Sequence, residues 1–278
     1  MLVLQILNVE FEAFPLIDED KAGISLLLRQ CFLRAKVDTD QLASELIALQ
    51  PLGCIYKQSI SDDIDEDDDD DGVYGCVSVM PLTKNNSTSQ SIITHIGARA
   101  GKHATNDVKH RLNRVYLNPS AGNKVGFVVN ERFVNLPAQI APPSFDSLRK
   151  DMKRLGSDFA FTHYLMIVKL HKPQQMHQNK KKGHKSKQAA GSTSTDKSTD
   201  DNDQACVFTN AEESILSQYA DVSFDWCVSG ELPESVETSP DNVEDDAADE
   251  RFKPYRRVIA LDAAAFDKFI DRIQAEYQ

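Results

Sequence analysis

The sequence has few cysteines and no pattern that would pair them. There are five, an odd number, and no C-x-x-C motif. This spacing favours a reduced intracellular protein whose cysteines serve as small buried hydrophobic residues. Long apolar runs are also missing. The opening MLVLQIL has no basic segment and only seven largely apolar residues, so we expect no signal peptide, no membrane span and a soluble protein.

The sequence also lacks the common motifs of catalysis and nucleotide binding. The stretch GARAGKHAT, residues 97–105, has three residues between its glycines where a phosphate loop needs four, and His103 follows Lys102 where Ser or Thr is needed. We therefore predict a loop and a helix end there. No G-x-G-x-x-G or G-x-S-x-G motif is present. We assign His171, His177 and His184 to a lysine-rich insert and favour solvated histidines over a metal site.

Charge is distributed in blocks. The formal net charge is -12, yet residues 61–72 and residues 231–250 each hold nine acids and no base. Residues 172–203 carry seven lysines against four acids. These three blocks are polar and poor in aromatics, so they cannot bury enough apolar area to offset their ordering entropy. We predict a single domain, residues 1–278, with the three blocks as mobile inserts. Without these blocks the folded body has a net charge near zero.

Between the inserts, hydrophobic periodicity predicts strands and helices. Strands are expected at 9–16, 53–60, 73–82, 124–130, 161–171, 222–228 and 255–262. Helices are expected after Asp18, after Asp38 or Thr39, over most of 90–117, after Pro142, over 211–219 behind an Asn210 and Glu213 capping box, and after Asp262. The acidic run 61–72 is predicted to connect the two strands of a hairpin. The order predicts an α/β or α+β fold, with helices packed on a mixed sheet.

The stretch KVGFVVNERFVNLPAQIAPPSF, residues 124–145, places an adjacent acid and base, Glu131 and Arg132, at the exit of an apolar strand. Enzymes often keep their chemistry at such an exit. The alternative, which we favour, is that the pair anchors the strand exit and the following proline-broken segment, with Phe133 and Leu136 packed inward. An acid and a base in sequence make no catalytic site without a nucleophile or cofactor nearby.

The charged inserts each admit two interpretations. The lysine cluster NKKKGHKSKQ is either a nuclear localisation signal or a solubilising loop; we single out its lysines, Lys180, Lys181, Lys182, Lys185 and Lys187. The acidic run either holds a basic partner by long-range attraction or solvates a loop; its acids are Asp62, Asp63, Asp65, Glu66, Asp67, Asp68, Asp69, Asp70 and Asp71. Direct nucleic-acid binding is not expected, because the acidic blocks repel phosphates.

Several stretches in order resemble the BCCIP family of eukaryotic nuclear proteins. The signature-like segment is VGFVVNERFVNLPAQIAPPSFDSL, in which Glu131, Arg132, Phe133, Asn135, Pro137 and Gln139 match. NVEFEAFPLIDEDKAGISLLLRQCF, VDTDQLASELI with LGCIYKQS, and VFTNAEESILSQYADVSFDW resemble other parts of the family. The resemblance spans roughly residues 8–278. The acidic N-terminal extension that such proteins usually carry is missing before the first predicted strand.

This resemblance implies a central, mostly antiparallel mixed sheet flanked by helices, similar to the Gcn-related acetyltransferase fold. It implies a non-enzymatic nuclear protein without cofactor that escorts a basic large-subunit ribosomal protein, in ribosome biogenesis and nuclear export, and can shuttle to the cytoplasm. It further implies partners in the cell cycle and DNA repair. The alternative is a coenzyme A-dependent N-acyltransferase, although the pyrophosphate-binding Q/R-x-x-G-x-G/A is absent: its nearest match, Gln50 to Ile55, has Ile55 where Gly or Ala is needed.

Overall fold

The computed structural model describes residues 10–59, 72–118, 122–134, 136–174, 206–232 and 252–277. These residues form eight strands: β1 Phe11–Phe14, β2 Cys54–Gln58, β3 Gly75–Pro81, β4 Val125–Arg132, β5 His163–Pro173, β6 Val207–Phe208, β7 Val222–Cys227 and β8 Phe252–Asp262. They also form seven α-helices: α1 Lys21–Phe32, α2 Thr39–Ala48, α3 Ser87–His103, α4 Asn106–Leu112, α5 Ala141–Leu155, α6 Glu212–Ser217 and α7 Ala263–Glu276. The predicted order of elements is confirmed, and the two-residue strand β6 is added to it.

All eight strands belong to one sheet. Its order is β1-β2-β3-β4-β5-β8-β7, and β6 pairs with β5. Every neighbouring pair is antiparallel except β4 and β5, which run parallel. The predicted hairpin is confirmed, because Ile55 of β2 lies opposite Cys76 of β3. The predicted fold class, a mostly antiparallel mixed sheet flanked by helices, is therefore confirmed.

The parallel strands β4 and β5 diverge soon after they meet. They pair only from Val125 opposite His163 to Phe127 opposite Leu165. Beyond that point β4 continues along β3, and β5 continues along β8. Because β8 occupies one side of β5 over its whole length, the short strand β6 must take the side that β4 has left. The chain from β6 into α6 thus fills the opening between the two strands.

Helices cover both faces of the sheet. Alternate residues of β4 point to opposite faces, so Phe127 and Val129 pack with α1 to α4, while Val128 packs with α5 and α7. The apolar faces of these helices are buried or half-buried against the sheet. In α7, for example, Phe266, Phe269, Ile270 and Ile273 are all buried. Each face therefore has its own hydrophobic core, which is the main source of stability for such a fold.

Two of the predicted helix caps are confirmed and two are wrong. Asp38 accepts hydrogen bonds from two backbone N–H groups at the start of α2, and Asp262 accepts one at the start of α7. Asp18 does not cap α1, because residues 18–20 form a 3-10 turn and α1 begins at Lys21. The predicted capping box before α6 is also absent, because the Asn210 side chain bonds to β4 instead.

Parts of the predicted inserts and loops are regular structure. The strand β5 extends to Pro173, so His171 and Lys172 are strand residues rather than members of an insert. Glu231 lies in a 3-10 turn and forms an ion pair of 2.6 Å with Arg99. The glycine-containing stretch that resembles a phosphate loop is helical up to His103, within α3. In each case a strand, a turn or a helix includes residues whose composition had predicted an insert or a loop.

Candidate functional site

The exit of β4 is the most polar part of the interior and the candidate functional site. Asn130, Glu131 and Arg132 are each at most 4% exposed. Their strand lies close to β3: a Cβ added to Gly75 would sit 2.8 Å from the Cβ of Arg132 and 2.6 Å from the ring of Tyr56. Glycine at position 75 therefore lets β3 approach Arg132, which lies directly opposite it.

Glu131 points to the face covered by α1. Its carboxylate accepts a hydrogen bond of 2.5 Å from the ammonium group of Lys169 on β5. On the same face Arg256 of β8 donates to the backbone carbonyls of Gln30, at 2.5 Å, and Cys31, at 3.4 Å. These are carbonyls of the last turn of α1, which lack partners within the helix and favour a nearby cation. The charges on this face therefore join the end of α1 to three strands.

Arg132 points to the opposite face, as adjacent strand residues must. Its guanidinium forms two parallel hydrogen bonds with the carboxylate of Glu212 on α6, at 2.6 and 2.7 Å. Burial works to lower the pKa of Arg132, but the bonds to Glu212 outweigh it and raise that pKa. Both side chains are almost fully buried, 3% and 0% exposed. A bidentate pair removed from water in this way anchors α6 to β4.

Two asparagines complete the network around α6. The amide nitrogen of Asn130 donates to Glu212 at 2.9 Å and to Glu213 at 3.0 Å. The amide nitrogen of Asn210 donates to the backbone carbonyl of Asn130 at 3.0 Å and to Glu213 at 2.8 Å. Asn210 therefore links β4 to α6 and does not cap that helix, which is why the predicted capping box is wrong.

Glu213 is the unusual member of this network. It is buried without an ion pair, and burial, followed by the nearby charge of Glu212, raises its pKa well above the usual carboxylate range. The folded protein therefore favours the protonated form of Glu213 more strongly than the unfolded chain does. The second carboxylate oxygen of Glu213 and the amide oxygens of Asn130 and Asn210 accept no hydrogen bond from a described residue.

Glu131 and Arg132 were predicted to anchor the proline-broken segment, but their partners in the structure are different. Neither residue pairs with the proline-broken segment; one holds β5 and the other holds α6. Leu136 is buried, whereas Phe133 is half-buried with its ring 6.0 Å from that of Tyr74. The other signature positions are Pro137 and Gln139, both exposed, and Asn135, which lies outside the described residues.

The remaining predicted site residues also lie outside the described part of the chain. They are the acids Asp62 to Asp71 and the lysines Lys180, Lys181, Lys182, Lys185 and Lys187. Their proposed roles stay predictions. Within the described ranges, no disulfide bond joins any of the five cysteines, and no cluster of His, Cys, Asp and Glu could hold a metal ion. None of the described helices has the length and hydrophobicity of a membrane span.

A cavity among the described residues lies away from the ionic network. It has a volume of about 340 Å³ and is lined by residues of α5, the turn after it, β5 and α7, including Met152, Phe161 and Tyr164. Arg149 at its rim is held by Asp146 and Asp271, each at 2.7 Å. The cavity and the buried network therefore do not combine into one reaction centre.

Comparisons with known proteins place the chain in a family. The model of the BCCIP family matches residues 6–216. The chain belongs to the BCCIP family. A BCCIP homologue from Drosophila melanogaster is 31% identical, in an alignment that covers 96% of this chain and 84% of that protein. The Bos taurus protein named BRCA2 and CDKN1A-interacting protein is also 31% identical, covering 81% of this chain and 70% of the relative.

Solved structures support the fold. The crystal structure of BCP1 from Saccharomyces cerevisiae matches with a TM-score of 0.58 at 16% identity, covering 96% of this chain and 89% of that one. At this identity the likeness concerns the fold alone. FeeM, an N-acyl amino acid synthase from uncultured soil microbes, matches with a TM-score of only 0.28. That likeness is too weak to carry an argument about chemistry.

Proposed function

We propose that this chain is a non-enzymatic nuclear binding protein that escorts a basic large-subunit ribosomal protein during ribosome biogenesis and nuclear export. The observation that supports this best is the different use of charge inside and outside. Inside, Glu131 forms an ion pair with Lys169, and Arg132 forms one with Glu212. Neither charge is therefore available to a substrate. Members of the family are named as interaction proteins, which agrees with a binding role.

Outside, acidic groups at one edge of the sheet are free to act on a partner. Glu10 and Glu12 are exposed and form no ion pair with a described residue. The acidic run 61–72 begins two residues after Ser59, whose N–H donates to the carbonyl of Glu10 at 2.8 Å. Acidic groups concentrated in one area attract a basic protein over a distance of about 8–10 Å at physiological salt.

Co-expression tests the proposal directly. The chain is expressed with each large-subunit ribosomal protein of its own organism, and stoichiometric co-purification at moderate salt is scored. We expect one specific ribosomal partner. A coenzyme A binding assay on the same preparation tests the acyltransferase alternative, for which we expect no saturable binding. A chain that binds coenzyme A and captures no ribosomal protein contradicts the escort function.

A variant with altered charge tests the contribution of the acidic run. Deleting residues 62–71 should weaken partner binding and flatten its dependence on salt. The matched control keeps the length and replaces the same acids with Asn and Gln. If both variants lose affinity equally, charge is responsible. An unchanged salt slope in both would retire the electrostatic mechanism while leaving the partner itself established.

A second role, as an adaptor in DNA repair and the cell cycle, is favoured by the names of the relatives. The cattle, mouse and human proteins are each named for interaction with BRCA2 and CDKN1A. We propose that this chain binds the corresponding proteins of its own organism. Pull-down with each purified counterpart, in the presence and absence of the ribosomal partner, measures whether the two roles share a surface. Absence of binding to both counterparts removes the second role.

We further propose nuclear localisation through the lysine cluster, with shuttling to the cytoplasm. The support is the run of lysines, Lys180, Lys181, Lys182, Lys185 and Lys187. A fluorescent fusion of the whole chain should accumulate in the nucleus, and replacement of these lysines by Gln should release it to the cytoplasm. The control replaces Lys253 and Lys268, which lie on the folded body. A nuclear signal that persists in the cluster variant would leave only the solubilising role.

A further inference from the structure

The strand β1 ends the sheet on one side and leaves backbone hydrogen-bonding groups open. The bond from Ser59 N–H to the carbonyl of Glu10 fixes which residues face β2. In an antiparallel pair these alternate, so Glu10, Glu12 and Phe14 bond to β2. Phe11 and Ala13 then direct their N–H and C=O groups outward, where no described residue meets them. Such an edge is a template for one more strand.

The edge has charge of one sign. Between residues 10 and 20 there are five acids and no base. Asp20 is neutralised by Lys57 at 2.8 Å. The other four, Glu10, Glu12, Asp18 and Glu19, are exposed and have no ion pair with a described residue.

The opposite edge, β7, is different. Its acid Asp225 is held by Arg257 at 2.7 Å and also by Lys172, and Asp221, just before the strand, is held by Arg111 at 2.6 Å. The acids of β7 are therefore neutralised within the protein. Of the two edges, β1 is the one whose charge can select a partner.

The charge of β1 also argues against a second copy of the chain as occupant. Two β1 strands paired antiparallel about Glu12 would place Glu12 directly opposite its own copy, and like charges at such positions are destabilising. A basic strand would instead place a cation beside each acid. Exposed apolar side chains add a surface for alternate residues of that strand: Phe14 is 37% and Ile17 42% exposed.

From these observations we propose that β1 is a docking strand, to which an extended basic segment of a partner protein adds by backbone hydrogen bonding. This rests on the proposed function, because it specifies how the basic partner is held. Recognition by strand addition draws affinity from main-chain bonds and selectivity from side chains at alternate positions. Here the selectivity comes from Glu10 and Glu12, which prefer lysine or arginine on the incoming strand.

The test uses two peptides and the full chain. One peptide alternates lysine with valine, and the other, of the same length and charge, alternates lysine with proline and cannot form a strand. We expect the lysine-valine peptide to bind at least about tenfold more tightly. In NMR hydrogen exchange it should slow the amides of Phe11 and Ala13, which face outward in the free protein. Equal binding of the two peptides overturns the proposal, because charge alone would then explain it.

Variants locate the binding. Ala13→Pro removes an outward N–H and spares the bonds to β2, so it should weaken lysine-valine binding about tenfold. Ser223→Pro is the matched control: the bond from Val228 N–H to Pro254 sets the register of β7, in which the Ser223 N–H also faces outward. We expect it to leave binding unchanged. Glu10→Gln with Glu12→Gln gives a second probe without a backbone change and should lower both affinity and its salt dependence.

The results separate this inference from the escort function. If Ala13→Pro and the glutamine variant both bind the peptide as the wild type does, or if neither peptide binds the wild type, the docking strand is overturned. The escort function then stands or falls on its own co-expression result. A successful peptide test together with no ribosomal partner would keep the docking strand and contradict the ribosomal escort.

Discussion

Two groups of acids in this protein have opposite surroundings. At the exit of β4, Glu131 and Glu212 are at most 3% exposed, and each has a cation in direct contact. On the edge strand β1, Glu10 and Glu12 are exposed and have no cation from a described residue. A buried charge needs a partner from the same chain, whereas an exposed one can take its partner from another molecule. We therefore expect the first group to control stability and the second to control binding.

The largest expected effect comes from breaking the buried pair. Arg132→Ala leaves the carboxylate of Glu212 buried without its cation, and loss of one partner of a buried pair costs about 3–5 kcal/mol of unfolding free energy. Chemical denaturation followed by circular dichroism measures this. The matched control is Arg154→Ala, which removes a 2.9 Å pair with Asp151 from an arginine whose side chain is 63% exposed.

That control should cost no more than about 0.5 kcal/mol. If Arg132→Ala is tolerated as well as Arg154→Ala, the buried network is not what joins β4 to α6.

A smaller effect is expected from His95, which is half-buried and lies near the ion pair of Arg99 and Glu231. Its ring contacts Phe32 and Trp226 edge-on, and burial, assisted by Arg99, lowers its pKa from 6.5 to about 4. Between pH 6.5 and pH 4, His95 is therefore protonated in the unfolded chain but neutral in the folded one. Unfolding free energy should fall by about 1–2 kcal/mol as the pH drops from 6.5 to 4, which is less than the full shift would give because solvent screens the half-buried ring.

His95→Gln should remove this part of the pH dependence, whereas His110→Gln, on the exposed side of α4, should leave it in place. Equal pH profiles for the wild type and His95→Gln would show that His95 titrates as it does in the unfolded chain.

Glu213 tests burial without neutralisation. Because its pKa is raised in the folded state, the folded chain holds a proton that the unfolded chain loses above its ordinary pKa of 4.5. Its contribution to stability therefore decreases as the pH rises through 4.5. Glu213→Gln keeps an acceptor for Asn130 and Asn210 and removes the protonation cost, so it should be more stable than the wild type at pH 7, with the gain shrinking toward pH 5. A gain that is independent of pH would contradict a protonated Glu213.

The smallest effect on stability should come from the edge. Glu10→Gln with Glu12→Gln removes exposed charges that contact no described cation, so the unfolding free energy should change by less than about 0.5 kcal/mol. The same variant is expected to lose affinity for a basic partner. Thermal unfolding and partner titration on one preparation measure both quantities. A large loss of stability would place these acids with the structural group and remove the contrast.

Local patterns predicted much of the fold but not the contacts of the candidate site. The apolar face of α7 and the cap at Asp262 follow from residues close together in sequence, and both are confirmed. The partners of Asn130 and Arg132 lie 82 and 80 residues away, and nothing in local periodicity specifies them. The strand β6 has two residues, too few for an alternating pattern.

The assignment of Asn210 as a helix cap was wrong for the same reason. Its spacing from Glu213 fits a local motif, yet its side chain bonds to the distant strand β4. Tertiary contacts here override a local preference.

The most direct test of the electrostatic role of Glu10 and Glu12 is the salt dependence of affinity for the co-purified basic ribosomal protein, measured from about 50 to 300 mM salt. The wild type is compared with the Glu10→Gln and Glu12→Gln double variant and with Arg154→Ala as a control on an exposed charge elsewhere. We expect a steep loss of affinity with salt for the wild type and the control, and a shallower loss for the double variant. Three identical slopes would contradict the claim that Glu10 and Glu12 hold the partner.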